Sequence, residues 1–225
     1  MPLTAEQARR VYDRIGRAQD TQGFYEDAAK RRLTQLGVFE RARSMFELGC
    51  GTGRFAARLL RERLPTDARY LGVDVSPRMV SLARSRLRRY APRAEAVLLD
   101  PPALALPGSD GGYDRFVATY VFDLLADEQA RVLLAEAHRL LAPGGLLCIA
   151  SLTEGVTRAG RVVSGAWATL AHRWPALLGG CRPIEVERLL AAGWWRVQQR
   201  EVITRWGVPT EIVVAVSRES TKSDG

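Results

Sequence analysis

Apolar positions along the chain follow two rhythms that alternate. Ala8, Val11, Ile15 and Ala18 recur at helical spacing and predict an amphipathic helix over residues 5–19. A second helix is predicted over 23–37, ending at Gly37. Beyond it, short apolar runs predict strands at 44–48, 69–74, 94–99, 115–120 and 146–151. Helical stretches separate them. One runs to Leu64 and is stopped by Pro65. The next is capped by Ser76 with Pro77 in its first position and buries Met79, Leu82, Ala83, Leu87 and Tyr90. A third spans Asp127–Leu141 and stops at Pro143-Gly144-Gly145. A helix at 184–191 and two strands at 195–205 and 210–217, joined by a turn at Gly207-Val208-Pro209, close the pattern.

Strands that alternate with helices imply an α/β fold with a doubly wound sheet. Residues 1–39 read as an N-terminal helical cap on a domain at 40–217. Within that domain, 152–183 is a helical insertion or lid, and 218–225 is a polar tail expected to stay unpacked.

Bulk composition narrows the classes. At 225 residues the chain is large enough for one well-buried domain. It has no apolar run long enough to span a bilayer and no signal-peptide pattern, so a soluble, cytoplasmic protein is expected. Cys50, Cys148 and Cys181 are too few and too scattered for a disulfide framework or a zinc site, and no metal is expected. The formal charge is +8, carried almost wholly by arginine, since Lys30 and Lys222 are the only lysines. Such a charge suits anionic partners. However, Arg78, Arg84, Arg86, Arg88 and Arg89 decorate the outer side of one helix and do not form a block, so a nucleic-acid partner is not expected.

The most informative chemistry lies between the first two strands. Three alternating glycines, Gly49, Gly51 and Gly53, follow strand 44–48, and Asp74 closes the next strand. Strand, glycine turn, helix, strand, acid is the layout of a nucleotide-type cofactor site. Gly51-Thr52-Gly53-Arg54-Phe55-Ala56 also fits the dinucleotide pattern. A pyrophosphate, though, wants no negative charge on the protein, and Glu47 stands beside the turn. A ligand with an ammonium group suits Glu47, and S-adenosylmethionine (SAM) has one.

Glu47-Leu48-Gly49-Cys50-Gly51-Thr52-Gly53 resembles motif I of the class I SAM-dependent methyltransferases, the broad group that includes ubiquinone and menaquinone C-methyltransferases and many small-molecule methylases. The resemblance covers residues 40–151 well and 184–217 loosely. It implies a Rossmann-like doubly wound seven-stranded sheet with an antiparallel last strand, and SAM as cofactor. Glu47, Gly49, Cys50, Gly51 and Gly53 would hold SAM, with Asp74 on the ribose hydroxyls, Val75 and Met79 beside the adenine, and Asp100 on the adenine amine. Pro101 follows Asp100 but lacks an N–H, so it offers the adenine no backbone donor. Asp100-Pro101-Pro102-Ala103 is not the Asp-Pro-Pro-Tyr motif of amino-methylating DNA enzymes, because it follows the third strand and an alanine replaces the stacking aromatic.

Tyr120 is expected to line the methyl channel, and Asp123 to orient the acceptor or to cap a helix. For the acceptor itself the candidates are Tyr12 and Tyr25 in the cap, Trp167 and His172 in the insertion, and Arg182 after it. The insertion repeats Val163, Ala166, Trp167, Leu170 and Trp174 at helical spacing, which fits a lid, a shallow membrane-contact helix or plain packing. The expected reaction is methyl transfer from SAM to a small-molecule or lipid-like acceptor by in-line displacement. An RNA or protein methyltransferase, a catalytically silent SAM-binding protein and a nicotinamide oxidoreductase remain the alternatives. The sequence leaves the oligomeric state open.

Overall fold

The structure, a computed structural model, describes residues 5–100, 105–154 and 182–218. Its helices are Ala5–Ile15 (α1), Gly23–Leu36 (α2), Arg54–Glu62 (α3), Pro77–Leu87 (α4) and Asp127–Leu140 (α5). Its strands are Ser44–Leu48 (β1), Arg69–Asp74 (β2), Ala94–Leu98 (β3), Tyr113–Thr119 (β4), Leu141–Leu152 (β5), Trp195–Arg205 (β6) and Val208–Ser217 (β7). They form one seven-stranded sheet in the order β3-β2-β1-β4-β5-β7-β6. The pairings of β1 to β5 are parallel, and β7 runs antiparallel between β5 and β6. This is the Rossmann-like sheet with an antiparallel last strand that the sequence implied.

Two apolar layers flank the sheet. Tyr25, Leu33, Phe55, Leu59, Val80 and Leu87 from α2, α3 and α4 pack on one face against Met45, Tyr70 and Val214. Ala130, Leu134 and Ala137 of α5 pack on the other against Phe46, Phe116 and Ile149. Burial on both faces explains why the parallel strands read as continuous apolar runs rather than alternating ones. Local signals fix several ends. Ser76 Oγ accepts the Met79 N–H at 3.1 Å, and Pro77 opens α4 as predicted.

Four boundaries differ from the sequence reading. The first α-helix stops at Ile15 and continues as a 3-10 helix, Gly16–Gln22, after Gly16 adopts a left-handed φ of 52°. The expected helix at 184–191 is only a 3-10 turn, Val186–Leu189. The Val186 N–H there donates to Glu211 Oε2 at 2.7 Å, so tertiary structure takes over its backbone pairing. Pro143-Gly144-Gly145 does not precede β5. It lies within β5 as an irregularity where the register against β4 jumps from Tyr113–Leu141 to Arg115–Leu146. The closing hairpin turns at Trp206-Gly207, with φ of 53° and 76°, and Val208 and Pro209 already belong to β7. Positive φ at both central residues is the twist-matched geometry of a two-residue hairpin.

Among the described residues, no helix is long and apolar enough to cross a membrane.

Candidate functional site

The strand order reverses between β1 and β4, which both run parallel but hand their connections to opposite faces. Their carboxyl ends leave a crevice, the place where open α/β sheets bind ligands. A cleft of about 500 Å³ lies there. The loop after β1, the end of β4, and helices α2 and α3 wall it, and Tyr12 and Gln19 of the N-terminal cap approach it from above.

Backbone groups hold the glycine loop. The N–H groups of Gly49 and Cys50 both donate to the Val73 carbonyl, at 2.8 and 3.0 Å. The Gly51 N–H donates to Asp74 Oδ2 at 2.9 Å, and the Ser76 N–H donates to Asp74 Oδ1 at 2.9 Å. Asp74 therefore stands behind the loop and ties it to the start of α4. Burial pushes its carboxyl up to about 6, against the pull of the Ser76, Gly51 and Val75 N–H groups. Gly51 itself has φ of 54°, and a Cβ there would come within 3.1 Å of Gln19 Oε1. A side chain at this position would thus be strained by the backbone and would fill the space between loop and cap.

Glu47 is the most distinctive group. It is 1% exposed, and it accepts a 2.6 Å hydrogen bond from the Tyr70 hydroxyl. Tyr70 lies two residues before Gly72 on β2, and Gly72 is in register with Glu47. A Cβ on Gly72 would sit 2.2 Å from the Tyr70 hydroxyl, so the missing side chain is what lets Tyr70 reach along the sheet to Glu47. Burial pushes the Glu47 carboxyl up to about 7. The Tyr70 hydroxyl and Lys30 pull it down, and Asp74 adds a small upward push.

Several residues that the sequence did not single out complete the cleft. Lys30 Nζ lies 5.9 Å from the Phe55 ring centroid and 5.8 Å from that of Tyr120, and pairs with Glu26 at 2.6 Å. Asp20 accepts from Thr52 Oγ1 at 2.6 Å and from Arg86 at 2.8 Å, which fastens the cap to the glycine loop and to α4. Burial opposes the charge on Asp20, but these two donors outweigh it and lower its pKa. The one sequence trace of this group is the Tyr70-x-Gly72 spacing. The rest is assembled across elements and has no local pattern.

The expected site residues divide. Glu47, Gly49, Cys50, Gly51, Tyr12, Tyr25 and Tyr120 all line the cleft. Tyr120 has a φ of 57°, a strained backbone for an aromatic residue. Its ring meets Tyr25 edge-on at 5.8 Å, and its hydroxyl lies 3.2 Å from Thr210 Oγ1 on β7. Gly53 sits at the start of α3, where it is crowded by Ala83, and Val75 is half-buried beyond β2. Met79 is fully buried, as ordinary helix packing demands. Asp100 is exposed at the end of the β3 region.

Two expected residues lie away from the cleft lining. Asp123 is fully buried in the 3-10 turn Phe122–Leu124, and it does not line the cleft. The segment at residue 182 crosses that turn, with the Arg182 N–H donating to the Asp123 carbonyl at 2.9 Å. Nor is the Arg182 side chain held ready for an anionic substrate. Its guanidinium donates to the Leu125 carbonyl at 2.8 Å and pairs with Asp127. Pro101, Trp167 and His172 lie outside the described residues, as does the apolar stripe at 163–174.

SAM fits the groups that are present. Glu47 offers a buried carboxylate for an ammonium. The Asp74 carboxylate keeps acceptor capacity beyond its bonds from Gly51, Ser76 and Val75. Gln19 Oε1 is a buried acceptor with no hydrogen-bond partner among the described residues, and it faces the loop at Gly51.

Comparison with known proteins agrees with this geometry. Residues 45–145 match a family model described as a methyltransferase domain. Demethylmenaquinone methyltransferase of Thermus thermophilus is 35% identical over 120 residues, 53% of this chain and 52% of that protein. Trans-aconitate 2-methyltransferase of Methylobacterium radiotolerans is 35% identical over 164 residues, 69% of this chain and 58% of that protein. The matches thus span little more than half the length of these relatives. Among solved structures, the [4+2]-cyclase SpnF superposes with a TM-score of 0.72 at 17% identity, over 96% of this chain and 98% of that one, a likeness of fold.

Proposed function

We propose that this chain, which belongs to the class I SAM-dependent methyltransferases, transfers the methyl group of SAM to a small organic acceptor bound between α2, α3 and the end of β4. SAM, when bound, supplies a methyl group on a sulfonium, ready for in-line displacement. The chain's own part is positioning and water exclusion, which supply much of the acceleration in such a reaction.

The observation that carries this reading is Glu47. A buried carboxylate at the end of β1, fixed by Tyr70 and next to a glycine loop, is built for a cation and not for a pyrophosphate. Asp74 braces the same loop and takes ribose hydroxyls with its remaining lone pairs. The rings of Tyr25, Phe55 and Tyr120 form an apolar wall beside Glu47, and a small acceptor held against that wall loses its water. Relatives named for demethylmenaquinone and trans-aconitate support a small-molecule acceptor. A lipid-like acceptor belongs to the same proposal. The test is methyl transfer itself. Purified protein is incubated with SAM and pools of small metabolites, and products are read by mass spectrometry. A product heavier by one methylene, absent in Gly51→Val, supports the reading. SAM binding without any methylated product across broad pools would favour a silent binding protein.

A further inference from the structure

The cations around the cleft are not equally engaged. Lys30 pairs with Glu26 at 2.6 Å, Arg54 with Asp27 at 2.8 Å, and Arg86 with Asp20 at 2.8 Å. Arg61, which also lines the cleft, pairs with Glu62, and the exposed Arg89 lies over the Tyr90 ring. Arg58 is different. Its one ion pair among the described residues is with Asp27, 3.8 Å away, and Arg54 already holds that group. Its Nη2 is buried with no hydrogen-bond partner among the described residues. A guanidinium left with an unused buried donor is costly in a finished structure, and such groups call for a ligand or a catalytic reason.

The position of Arg58 suggests the ligand. It lies one helical turn after Arg54 on α3, with its guanidinium carbon 5.3 Å from the Phe55 ring centroid. The Phe55 ring thus lies near both Arg58 and Lys30, and Lys30 also lies over Tyr120 at the end of β4. Arg58, Phe55 and Tyr120 thus line one cleft that opens at the end of β4. An apolar wall with one fork-shaped donor at its far end fits a molecule with an apolar body and an oxyanion, because the planar guanidinium matches carboxylate and phosphate geometry.

Resting on the methyltransferase reading, we infer that Arg58 anchors an oxyanion of the methyl acceptor, a carboxylate or a phosphate, while Phe55, Tyr25 and Tyr120 hold its apolar part. The acceptor then reaches the rim with its anionic end fixed away from Glu47, which would repel it. Burial lowers the Arg58 pKa, which agrees with a charge awaiting its counter-ion.

The test is a calorimetric titration of the full chain, with and without S-adenosylhomocysteine (SAH). The probes are phenylacetate and phenyl phosphate, each beside its neutral counterpart, phenylacetamide or phenol. The two anions separate the carboxylate from the phosphate source. At least one anion should bind more tightly than its neutral partner. Arg58→Gln should weaken that anion roughly tenfold or more, as expected for a charge-assisted pair. Arg58→Lys should keep part of the preference, and Arg131→Gln, on exposed α5, all of it. SAH affinity should be the same in all four proteins. Anions that bind no better than their neutral partners would overturn the inference, as would an equal loss in Arg131→Gln. So would an Arg58→Gln variant that loses SAH affinity instead, since Arg58 would then serve the cofactor. If wild-type protein fails to bind SAH, the methyltransferase reading fails, and the SAH-free titration still decides the role of Arg58.

Discussion

The glycine-loop wall of the cleft is held by backbone groups, whereas the α2–α3 wall is held by side chains. On the first wall, Val73 and Asp74 receive the N–H groups of Gly49, Cys50, Gly51 and Ser76 at 2.8–3.0 Å. On the second, the groups are long, flexible and charged: Lys30 over two rings, Arg58 over one, Asp27 shared between two arginines. A wall made of backbone cannot vary its chemistry without losing its shape, so it suits an invariant cofactor. A wall made of side chains can be changed one residue at a time, so it suits the partner that differs between enzymes of one fold.

This contrast predicts where substitutions act. The largest effect is expected for Gly51→Val. A β-branched residue at φ of 54°, crowded against Gln19, should take SAM affinity below calorimetric detection while the unfolding transition stays cooperative. Retained binding would make the loop a mere turn. Asp74→Ala comes next. Loss of charge-assisted bonds to the loop and the ribose should weaken SAM by about 1–3 kcal/mol. Unchanged affinity would remove Asp74 from the site.

Tyr70→Phe should act less on affinity and more on its pH dependence. In the free protein Glu47 titrates at about 7, and an ammonium binds only its ionised form. SAM affinity should therefore fall as pH drops through about 7, and binding near that pH should release protons. Asp74, at about 6, adds to the fall at lower pH. The Tyr70 hydroxyl stabilises the Glu47 carboxylate, so its removal should move the fall to higher pH, with a loss of about 1 kcal/mol at pH 7. Titrations with SAH from pH 6 to 9 read both effects. A pH profile identical to wild type would show that Tyr70 does not position Glu47.

The smallest effect is expected for Arg182→Ala, which touches neither wall. Its partly exposed pair with Asp127 is worth about 0–1 kcal/mol, seen as a slight drop in thermal midpoint with SAM affinity unchanged. A loss of SAM affinity would bring the segment around residue 182 into the cofactor site.

The same contrast explains what could be read from sequence. The backbone-built wall is local: β1, the three glycines, β2 and Asp74 fall within one short stretch, and each carries a conformational signature. Strands 44–48 and 69–74 were predicted at their observed bounds for that reason. The side-chain wall is long-range. Lys30, Phe55 and Arg58 meet only after α2 and α3 pack on the same face, and nothing in their spacing announces it. Tyr70 shows the limit well. It reads as an ordinary strand residue until the register places Gly72 beside Glu47. Asp123 shows the opposite case, because it follows the strand that reaches the rim and yet turns under the segment at residue 182. The hairpin turn lies one residue earlier than the expected Gly207-Val208-Pro209, because Pro209 sits near the start of a strand where its missing N–H is tolerated.

The central claim is that the glycine loop and Glu47 form a SAM site. The direct test is calorimetric titration of the wild-type chain at pH 8 with SAM and, separately, with NAD. The account predicts one SAM site per chain, with affinity that weakens toward pH 6, and no heat of binding with NAD. Binding of NAD without binding of SAM would contradict it.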